Sequence, residues 1–447
     1  MSLPTIEALP LPQIYYQSTG PVYWVRDGTG KWISINETSA KLRMKAAGFS
    51  PEVFDRNDNH QVDNCVVGIQ DSQNVAYAGP LAGYQAGLHE IHRKQVLVTE
   101  SPRLIEPRAG QWPLLNSILE GMLNDPTHDQ RPYLYGWLKV SLLSYRSGLW
   151  SHGQVLAFAG PVGSGKSLLQ GIITEVFGGR AAKPYLYMTG RTTFNADLFG
   201  AEHLMVEDEA ESIDIRARRH FAAKIKEVAV NEDQHCHGKG KTALTLTPIW
   251  RMTLSLNDEA ERMQVLPPLD RDVADKLMLF KVARRELPMP TETPEEKRRF
   301  RAALSAELPA FVAFLDQYEI PAALRSGRYG VTHYHHPDLV EALDETTPET
   351  RLLALIDQEL FGGQVLREPF VGGSIELQER LCDGNEWVNQ EARRLLSYST
   401  ACGNYLRGIA DDPRTAHRVT WRRVNGQKEW TVQPPGAQAG PGLAPNQ

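Results

Sequence analysis

The octapeptide Gly160-Pro161-Val162-Gly163-Ser164-Gly165-Lys166-Ser167 is the most informative segment of this 447-residue chain. The apolar run Val155 to Ala159 precedes it and predicts a strand, and the run from Leu168 to Phe177 predicts a helix that ends at Gly178-Gly179. A glycine-rich turn that contains Gly-Lys-Ser and lies between a strand and a helix is typical of a phosphate-binding loop, in which backbone N–H groups surround the phosphate oxygens. The alternative is a glycine-rich turn that contains a lysine by chance. It explains the motif less well, because the flanking strand and helix are those that a phosphate-binding loop requires.

The residues of this loop have separate predicted roles. Lys166 is expected to reach the β- and γ-phosphates, and the Ser167 hydroxyl is expected to hold Mg²⁺. The helix N-terminus adds a partial positive charge. The predicted nucleotide contacts are Gly160, Pro161, Val162, Gly163, Ser164, Gly165, Lys166, Ser167 and Leu168.

The bulk composition is ordinary for a soluble protein with several globular domains, since 41% of the residues are apolar and 23% are charged. No apolar run is long enough to span a membrane, and Met1 to Gln13 lacks a signal pattern. The cysteines are scattered without paired spacing, which predicts a cytoplasmic location rather than a disulfide scaffold or zinc ribbon. The net charge of −6 means that contact with nucleic acid needs a local basic surface.

Changes of pattern along the chain predict an α/β protein built around a P-loop NTPase core. A hairpin is expected where Val22 to Arg26 and Lys31 to Ile35 flank Asp27-Gly28-Thr29-Gly30. The predicted segments are a mixed, β-rich N-terminal domain (1–107), a helical connector (108–149), the core (150–285), a helical lid or linker (286–348), a winged-helix-like domain (349–433) and a disordered tail (434–447).

An acidic run follows a second predicted strand of the core. His203 to Val206 leads into Glu207-Asp208-Glu209. One carboxylate would hold Mg²⁺ through water and the next would orient or deprotonate the attacking water. Glu207 and Asp208 are assigned to these roles, with Glu209 as the alternate if the strand is one residue longer. The run could also begin a helix, since carboxylates favour helix N-termini, but its pairing with the phosphate loop favours catalysis.

Two more residues are placed to contact a triphosphate. The predicted strand Arg251 to Leu256 ends at Asn257, which could touch the γ-phosphate or simply start a turn with Asp258. Arg271 precedes another predicted strand and could reach a neighbouring subunit's γ-phosphate, although a solvated loop is the commoner place for an arginine.

The order of these motifs resembles superfamily 3 helicases of the AAA+ class, and primase-associated helicases of phages, plasmids and satellite elements most closely. The resemblance covers about 150 to 285 and extends more weakly towards the C-terminus. The residues that it assigns are Gly160, Gly165, Lys166 and Ser167 in Walker A, Glu207 and Asp208 in Walker B, Asn257 as sensor 1, Arg271 as the arginine finger in trans, and Arg328 as the second candidate finger.

The resemblance implies an ATP-dependent replicative DNA helicase that uses ATP and Mg²⁺ and acts as a homo-oligomeric ring, a hexamer, on single-stranded or forked DNA. A separate primase or polymerase is an expected partner, because no primase domain is evident, and no membrane is involved. A regulatory or defence-type NTPase, whose ring is a switch or scaffold for a partner protein, is the alternative that the acidic net charge leaves open.

The family also has a β-hairpin that lines the central pore. Here the segment from His235 to Lys241 would be the hairpin tip, and Thr242 to Thr247 its return strand. The residues that could follow a phosphate backbone are Lys226, His237, Lys239 and Lys241. A solvated basic loop is the alternative. The histidines of this tip and those at 333, 335 and 336 lack partners at zinc spacing, which argues against a metal site.

The C-terminal region predicts helices followed by a hairpin across Asn425-Gly426, an arrangement that suggests a winged helix. Arg418, Arg422 and Arg423 lie on or near the wing and are predicted to contact DNA phosphates. Docking to a protein is nearly as well supported.

Overall fold

A computed structural model of the protein describes residues 12–52, 60–125, 127–207, 215–240, 242–259, 263, 265–267, 269, 272–345, 347–362 and 368–436. The predicted site residues Asp208, Glu209, Lys241 and Arg271 lie outside these ranges, as does most of the segment 434–447. The chain forms two compact units, Met1–Leu339 and Val340–Gln447.

The first part of the first unit contains two small sheets and two helices, with strand orders β3-β2-β1-β4 and β5-β7-β6. The elements are β1 (Tyr15–Gln17), β2 (Val22–Arg26), β3 (Trp32–Ile35), α1 (Glu37–Ala46), α2 (Gln61–Ser72), β4 (Asn74–Val75), β5 (Tyr77–Gly79), β6 (Gly87–Ile91) and β7 (Lys94–Val98). The hairpin predicted over residues 22–35 is confirmed. Its turn is fixed by the Asp27 carboxylate, which accepts hydrogen bonds from the N–H groups of Thr29 and Lys31 at 2.8 and 3.0 Å.

The middle of this unit is organised by a parallel sheet with strand order β14-β8-β13-β10-β9. The elements are α3 (Pro113–Leu123), α4 (Arg131–Ser147), β8 (Val155–Ala159), α5 (Lys166–Val176), β9 (Ala181–Ala182), α6 (Tyr185–Met188), β10 (His203–Val206), α7 (Ile215–Val230), β11 (Gln234–Cys236), β12 (Leu244–Leu246), β13 (Arg251–Leu256) and β14 (Leu277–Lys281). Every residue of β8 and β13 is buried, as expected for parallel strands covered on both faces. Because the strands are parallel, the segments that follow β8, β10 and β13 meet at one edge of the sheet.

The remaining elements of the first unit are α8 (Pro294–Gln317), β15 (Arg325–Ser326) and β16 (Gly330–Val331), and α9 (Pro337–Glu345) spans the boundary between the two units in the sequence. The long helix α8 begins with a capping box, in which the Thr293 hydroxyl accepts from the N–H of Glu296 and the Glu296 carboxylate accepts from the N–H of Thr293. One hydrophobic cluster joins α3, α4, α5 and α8 to β8 and β14. The helices α3 and α4, which precede the sheet in the sequence, and α8, which follows it, therefore share one hydrophobic cluster with α5, the helix that follows the glycine-rich loop.

Described residues of the second unit form a hydrophobic cluster that includes Trp430. Its elements are α10 (Pro348–Phe361), β17 (Phe370–Gly372), α11 (Ser374–Cys382), α12 (Glu386–Leu395), α13 (Ala401–Asp411), β18 (Val419–Val424) and β19 (Gln427–Val432). The predicted hairpin is present, with Asn425 and Gly426 at φ values of 51° and 83°, the conformation that a two-residue turn with a Gly at its second position favours.

The architecture agrees with the predicted mixed α/β class and contains a five-stranded parallel sheet. Among the described residues, no helix has both the length and the apolar character that crossing a lipid bilayer requires.

Candidate active site

The loop between β8 and α5 needs glycine at several positions. A Cβ on Gly160 would lie 2.2 Å from the carbonyl oxygen of Val282, which follows the adjacent strand β14. Gly163 and Gly165 have φ values of 76° and 89°, a region that residues with a Cβ rarely adopt. The glycine spacing thus has two causes, the crowding at the sheet edge and the turn of the loop.

The Lys166 side chain is held against this loop. It is buried, and its Nζ donates hydrogen bonds to the carbonyl oxygens of Gly160 and Pro161 at 2.6 and 2.9 Å and to Oδ1 of Asn257 at 3.2 Å. The structure therefore brings together two residues that the sequence assigns to the same site. A phosphate oxygen arriving here would compete with these neutral acceptors and would bind the ammonium group more strongly, because it carries negative charge.

The N-terminus of α5 offers further groups to an anion. The helical hydrogen-bond ladder begins at the N–H of Leu169, which donates to the carbonyl of Gly165 at 3.0 Å. The ladder gives no partner to the preceding N–H groups of Ser167 and Leu168, and such groups favour a bound anion. Within the described part of the chain, the buried Ser164 hydroxyl also has no hydrogen-bond partner, a state that a ligand or a water normally relieves.

A cavity of about 310 Å³ lies beside the loop. The loop contributes Gly163 and Gly165, α3 contributes Ile118 and Met122, and Arg285 comes from the segment after β14. The volume is at the lower end of the range for small-molecule sites. The cavity lies directly beside the loop residues that the sequence predicts to bind phosphate. Its α3 wall was not predicted, because nothing local in the sequence of α3 marks it as a ligand-binding helix.

Buried hydrogen bonds fasten α5 to the sheet. Nε2 of Gln170 donates to Oγ1 of Thr253 at 2.9 Å and to the carbonyl of Val206 at 3.2 Å. The ring nitrogens of His203 lie 2.8 Å from Oγ1 of Thr253 and 2.7 Å from Oγ1 of Thr174. Burial lowers the pKa of His203 to about 3, so the ring is neutral at physiological pH. This network holds the helix that carries Lys166 against β10 and β13.

Glu207, the first residue of the acidic run, has a different partner. Its Oε2 lies 2.6 Å from Nζ of Lys183, which follows β9 on the side of β10 away from β8. Asp208 and Glu209 lie outside the described residues. Glu207 thus lies at the carboxyl edge of the sheet, where the glycine-rich loop also lies, but its carboxylate is ion-paired with Lys183. Its role as a Mg²⁺ ligand stays a prediction.

Arg328 lies at the opposite edge of the sheet. It is in the turn between β15 and β16, and its guanidinium lies 3.3 Å from Oδ2 of Asp275, which precedes β14. The first residue of β14 is paired with the first residue of β8, whereas the glycine-rich loop follows the last residue of β8. The length of β8, about 16 Å at about 3.3 Å per residue, therefore separates this arginine from Lys166 of the same chain. The other candidate finger, Arg271, lies outside the described residues.

The hairpin predicted before β13 is present, formed by β11 and β12, but its tip is shorter than predicted because His235 and Cys236 belong to β11. Asn195 holds the end of β11 and the start of the tip, because its Oδ1 accepts from the N–H of His237 at 2.8 Å and its Nδ2 donates to the carbonyl of His235 at 2.9 Å. Lys239 and Gly240 are exposed in the tip, and Lys241 lies outside the described residues. The start of the tip is thus held by Asn195 while Lys239 is exposed to solvent.

One aromatic residue beside this hairpin was missed by the sequence reasoning. Phe194 is 42% exposed, and its ring centre is 5.0 Å from that of His237. The tip itself contains no aromatic residue, so a base-stacking surface was not expected. Phe194 lies beside the hairpin because the next residue, Asn195, is hydrogen-bonded to His235 and His237 of the hairpin.

The other basic residues predicted to contact DNA differ in their surroundings. Arg418 forms an ion pair with Asp357, and its side chain is only 12% exposed, so it stabilises the second unit. Arg423 is exposed on β18. The remaining two lie near carboxylates, Lys226 at 3.3 Å from Asp272 and Arg422 at 2.6 Å from Glu429.

Comparison with known proteins gives similarity in fold alone. No protein-family model and no curated protein matches the chain. Among solved structures, the apo structure of the NrS-1 C terminal region (305–718) is similar, with 14% identity and a TM-score of 0.53 over 94% of this chain and 95% of that one. The A form apo structure of the same region has 12% identity and a TM-score of 0.55 over 94% and 96% of the two chains.

Proposed function

We propose that the protein is an ATP-dependent DNA helicase that moves along single-stranded DNA as a homo-oligomeric, hexameric ring and serves the replication of a phage, plasmid or mobile element. The observation that carries the proposal is the contact of Lys166 with Asn257 at the carboxyl edge of the parallel sheet, on a loop whose glycines are sterically required. The exposed hairpin tip supplies a second element that a translocating motor needs.

The triphosphate would lie on the glycine-rich loop, with its base in the cavity beside α3. Mg²⁺ would be held by Ser167 with Glu207 and Asp208, and it would neutralise charge on the phosphates. Lys166 would leave the carbonyls of its own loop for the phosphates. Asn257 would then lose its present partner, and its amide could hold the attacking water.

The same strand connects this event to the hairpin. Asn257 follows the last residue of β13, and the return strand β12 leads into the first residue of β13 through residues 247–250. A change at Asn257 can therefore be passed along a fully buried strand to the hairpin, where Lys239, His237 and Phe194 would contact DNA. Backbone contacts from lysine and stacking on an aromatic ring are how single strands are commonly bound.

Replacing Asn257 by aspartate tests this site. The new carboxylate would lie about where Oδ1 now accepts from Lys166 at 3.2 Å, so it would hold the ammonium group and repel the γ-phosphate. We expect kcat for ATP hydrolysis to fall about 10²-fold, the loss seen when one preorganised polar group is removed. Asn257→Ala is the matched control. It also loses the amide but adds no charge, and it should bind nucleotide more tightly than Asn257→Asp. Equal affinities would contradict the charge argument.

Replacing Lys239 and Lys241 together by alanine tests the DNA path. Each lysine that contacts a phosphate of single-stranded DNA contributes about 0.7 unit to the salt dependence of binding. We expect the log–log salt slope for single-stranded DNA to fall by about 1.4, and strand displacement on a forked oligonucleotide to be lost, while hydrolysis without DNA persists. Unchanged strand displacement would remove the hairpin from the DNA path. Hydrolysis that is indifferent to DNA in the unmodified protein would favour the regulatory switch instead.

A further inference from the structure

Three side chains that commonly bind metals meet away from the glycine-rich loop. Asp125 and His128 lie in the connection between α3 and α4, and His336 directly precedes α9. One ligand atom from each lies within 4.8 Å of the others. Both segments are fixed on β14, because the N–H of His336 donates to the carbonyl of Leu279 at 2.9 Å and Oε1 of Gln130 accepts from the N–H of Lys281 at 2.9 Å. The three side chains are therefore held together by the backbone.

His336 is buried without the partners that its ring requires. It is 1% exposed, and within the described residues neither ring nitrogen has a hydrogen bond. Nε2 lies 3.9 Å from Oδ2 of Asp125, and Nδ1 lies 4.0 Å from Oδ2 of Asp338. Both distances are too long for a hydrogen bond.

The other two side chains are already oriented by Thr127. Its hydroxyl donates to Oδ1 of Asp125 at 2.6 Å and lies 2.7 Å from Nδ1 of His128. Because the hydroxyl proton is used on Asp125, the hydroxyl oxygen accepts from Nδ1–H of His128, and that tautomer leaves a lone pair on Nε2. Metal-binding histidines typically have their second nitrogen fixed in this way.

We propose that Asp125, His128 and His336 bind one Zn²⁺ ion, with water as the fourth ligand and Asp338 accepting a hydrogen bond from Nδ1 of His336. Tetrahedral zinc with bonds of about 2.0–2.2 Å places its ligand atoms about 3.4 Å apart. The ligand atoms now lie within 4.8 Å of one another, so the longest separation would shorten by about 1.4 Å when the ion binds. Lys281, which is ion-paired with Asp338, adds a nearby positive charge, and the carboxylates of Asp125 and Asp338 offset it. The ion would fasten the loop after α3 to the edge of the sheet.

The test uses the full chain, freed of metal with a chelator and without nucleotide, titrated with Zn²⁺ and separately with Co²⁺. We expect one ion per chain and the intense visible absorption of tetrahedral Co²⁺. Asp125→Asn and His128→Gln, both at partly exposed positions, should each weaken Zn²⁺ binding at least about 10-fold, and Asp338→Asn should weaken it about 10–100-fold. The matched control is His333→Gln, an exposed histidine of the same segment, which should bind Zn²⁺ as the unmodified protein does.

Three results would overturn the proposal. The first is the absence of stoichiometric Zn²⁺ binding to the unmodified chain. The second is undiminished binding by both Asp125→Asn and His128→Gln, which would assign the ion to other residues. The third is displacement of the Zn²⁺ by excess Mg²⁺, which would mean that the ion occupies the predicted Mg²⁺ site at Ser167. None of these readouts depends on ATP hydrolysis, so the zinc site and the proposed helicase activity can fail separately.

Discussion

Replacement of Lys166 by alanine is expected to abolish ATP hydrolysis and, with it, DNA unwinding. The ammonium group is the cation that the glycine-rich loop itself provides, and it is buried against the loop rather than free in solvent. A preorganised charge of this kind stabilises the charge on the transferring phosphoryl group, and its loss costs at least about 10²–10³-fold in kcat. Phosphate release at saturating ATP measures the effect, and nucleotide affinity should fall as well.

A matched control distinguishes this effect from general damage. Lys45 is an exposed lysine of α1, and Lys45→Ala should hydrolyse ATP at the unmodified rate. The thermal midpoint of Lys166→Ala should also be compared, because Lys166 presently satisfies the carbonyls of Gly160 and Pro161. A variant that melts normally and still hydrolyses ATP at a substantial rate would show that the loop is not the catalytic phosphate site.

The glycine-rich loop could be predicted from sequence because its requirements are local. Positive φ at Gly163 and Gly165 and the close approach of Val282 to Gly160 each demand the absence of a Cβ, and the flanking strand and helix are visible in the apolar pattern. The turn at Asn425-Gly426 is predictable for the same reason, since asparagine followed by glycine signals a tight turn, whereas the hairpin before β13 was expected from the resemblance to superfamily 3 helicases.

Contacts between distant segments could not be predicted in this way. Phe194 is brought to the hairpin by the hydrogen bonds of Asn195, and α3 lines the cavity beside the glycine-rich loop because it packs in the helical core. Local spacing argued against a metal site at His336, because its partners Asp125 and His128 come from a connection far away in the chain. Residue type misleads in a similar manner at Arg418, whose charge suggested DNA contact, whereas Asp357 on α10 binds it.

The largest effect is expected from Arg271, because an arginine finger is worth about 10³–10⁵ in kcat. Arg271→Ala should lose hydrolysis on that scale and keep nucleotide affinity. The other candidate, Arg328, is ion-paired with Asp275 at the edge of the sheet opposite Lys166, so it cannot act on the loop of its own chain. Arg328→Ala is therefore the matched comparison, and it should retain most of the activity if Arg271 is the finger.

Mixing two inactive variants tests whether the site is shared between subunits. A complete site forms at an interface where the Arg271→Ala subunit supplies Lys166 and the neighbouring Lys166→Ala subunit supplies Arg271. In a one-to-one mixture that exchanges subunits freely, about a quarter of the interfaces in a closed ring would be complete, and about that share of the unmodified hydrolysis rate should return. If the mixture stays inactive while subunits exchange, both residues act within one chain. If Arg328→Ala is the inactive variant that complements Lys166→Ala, the finger is Arg328, and β15 and β16 face the neighbouring subunit's nucleotide.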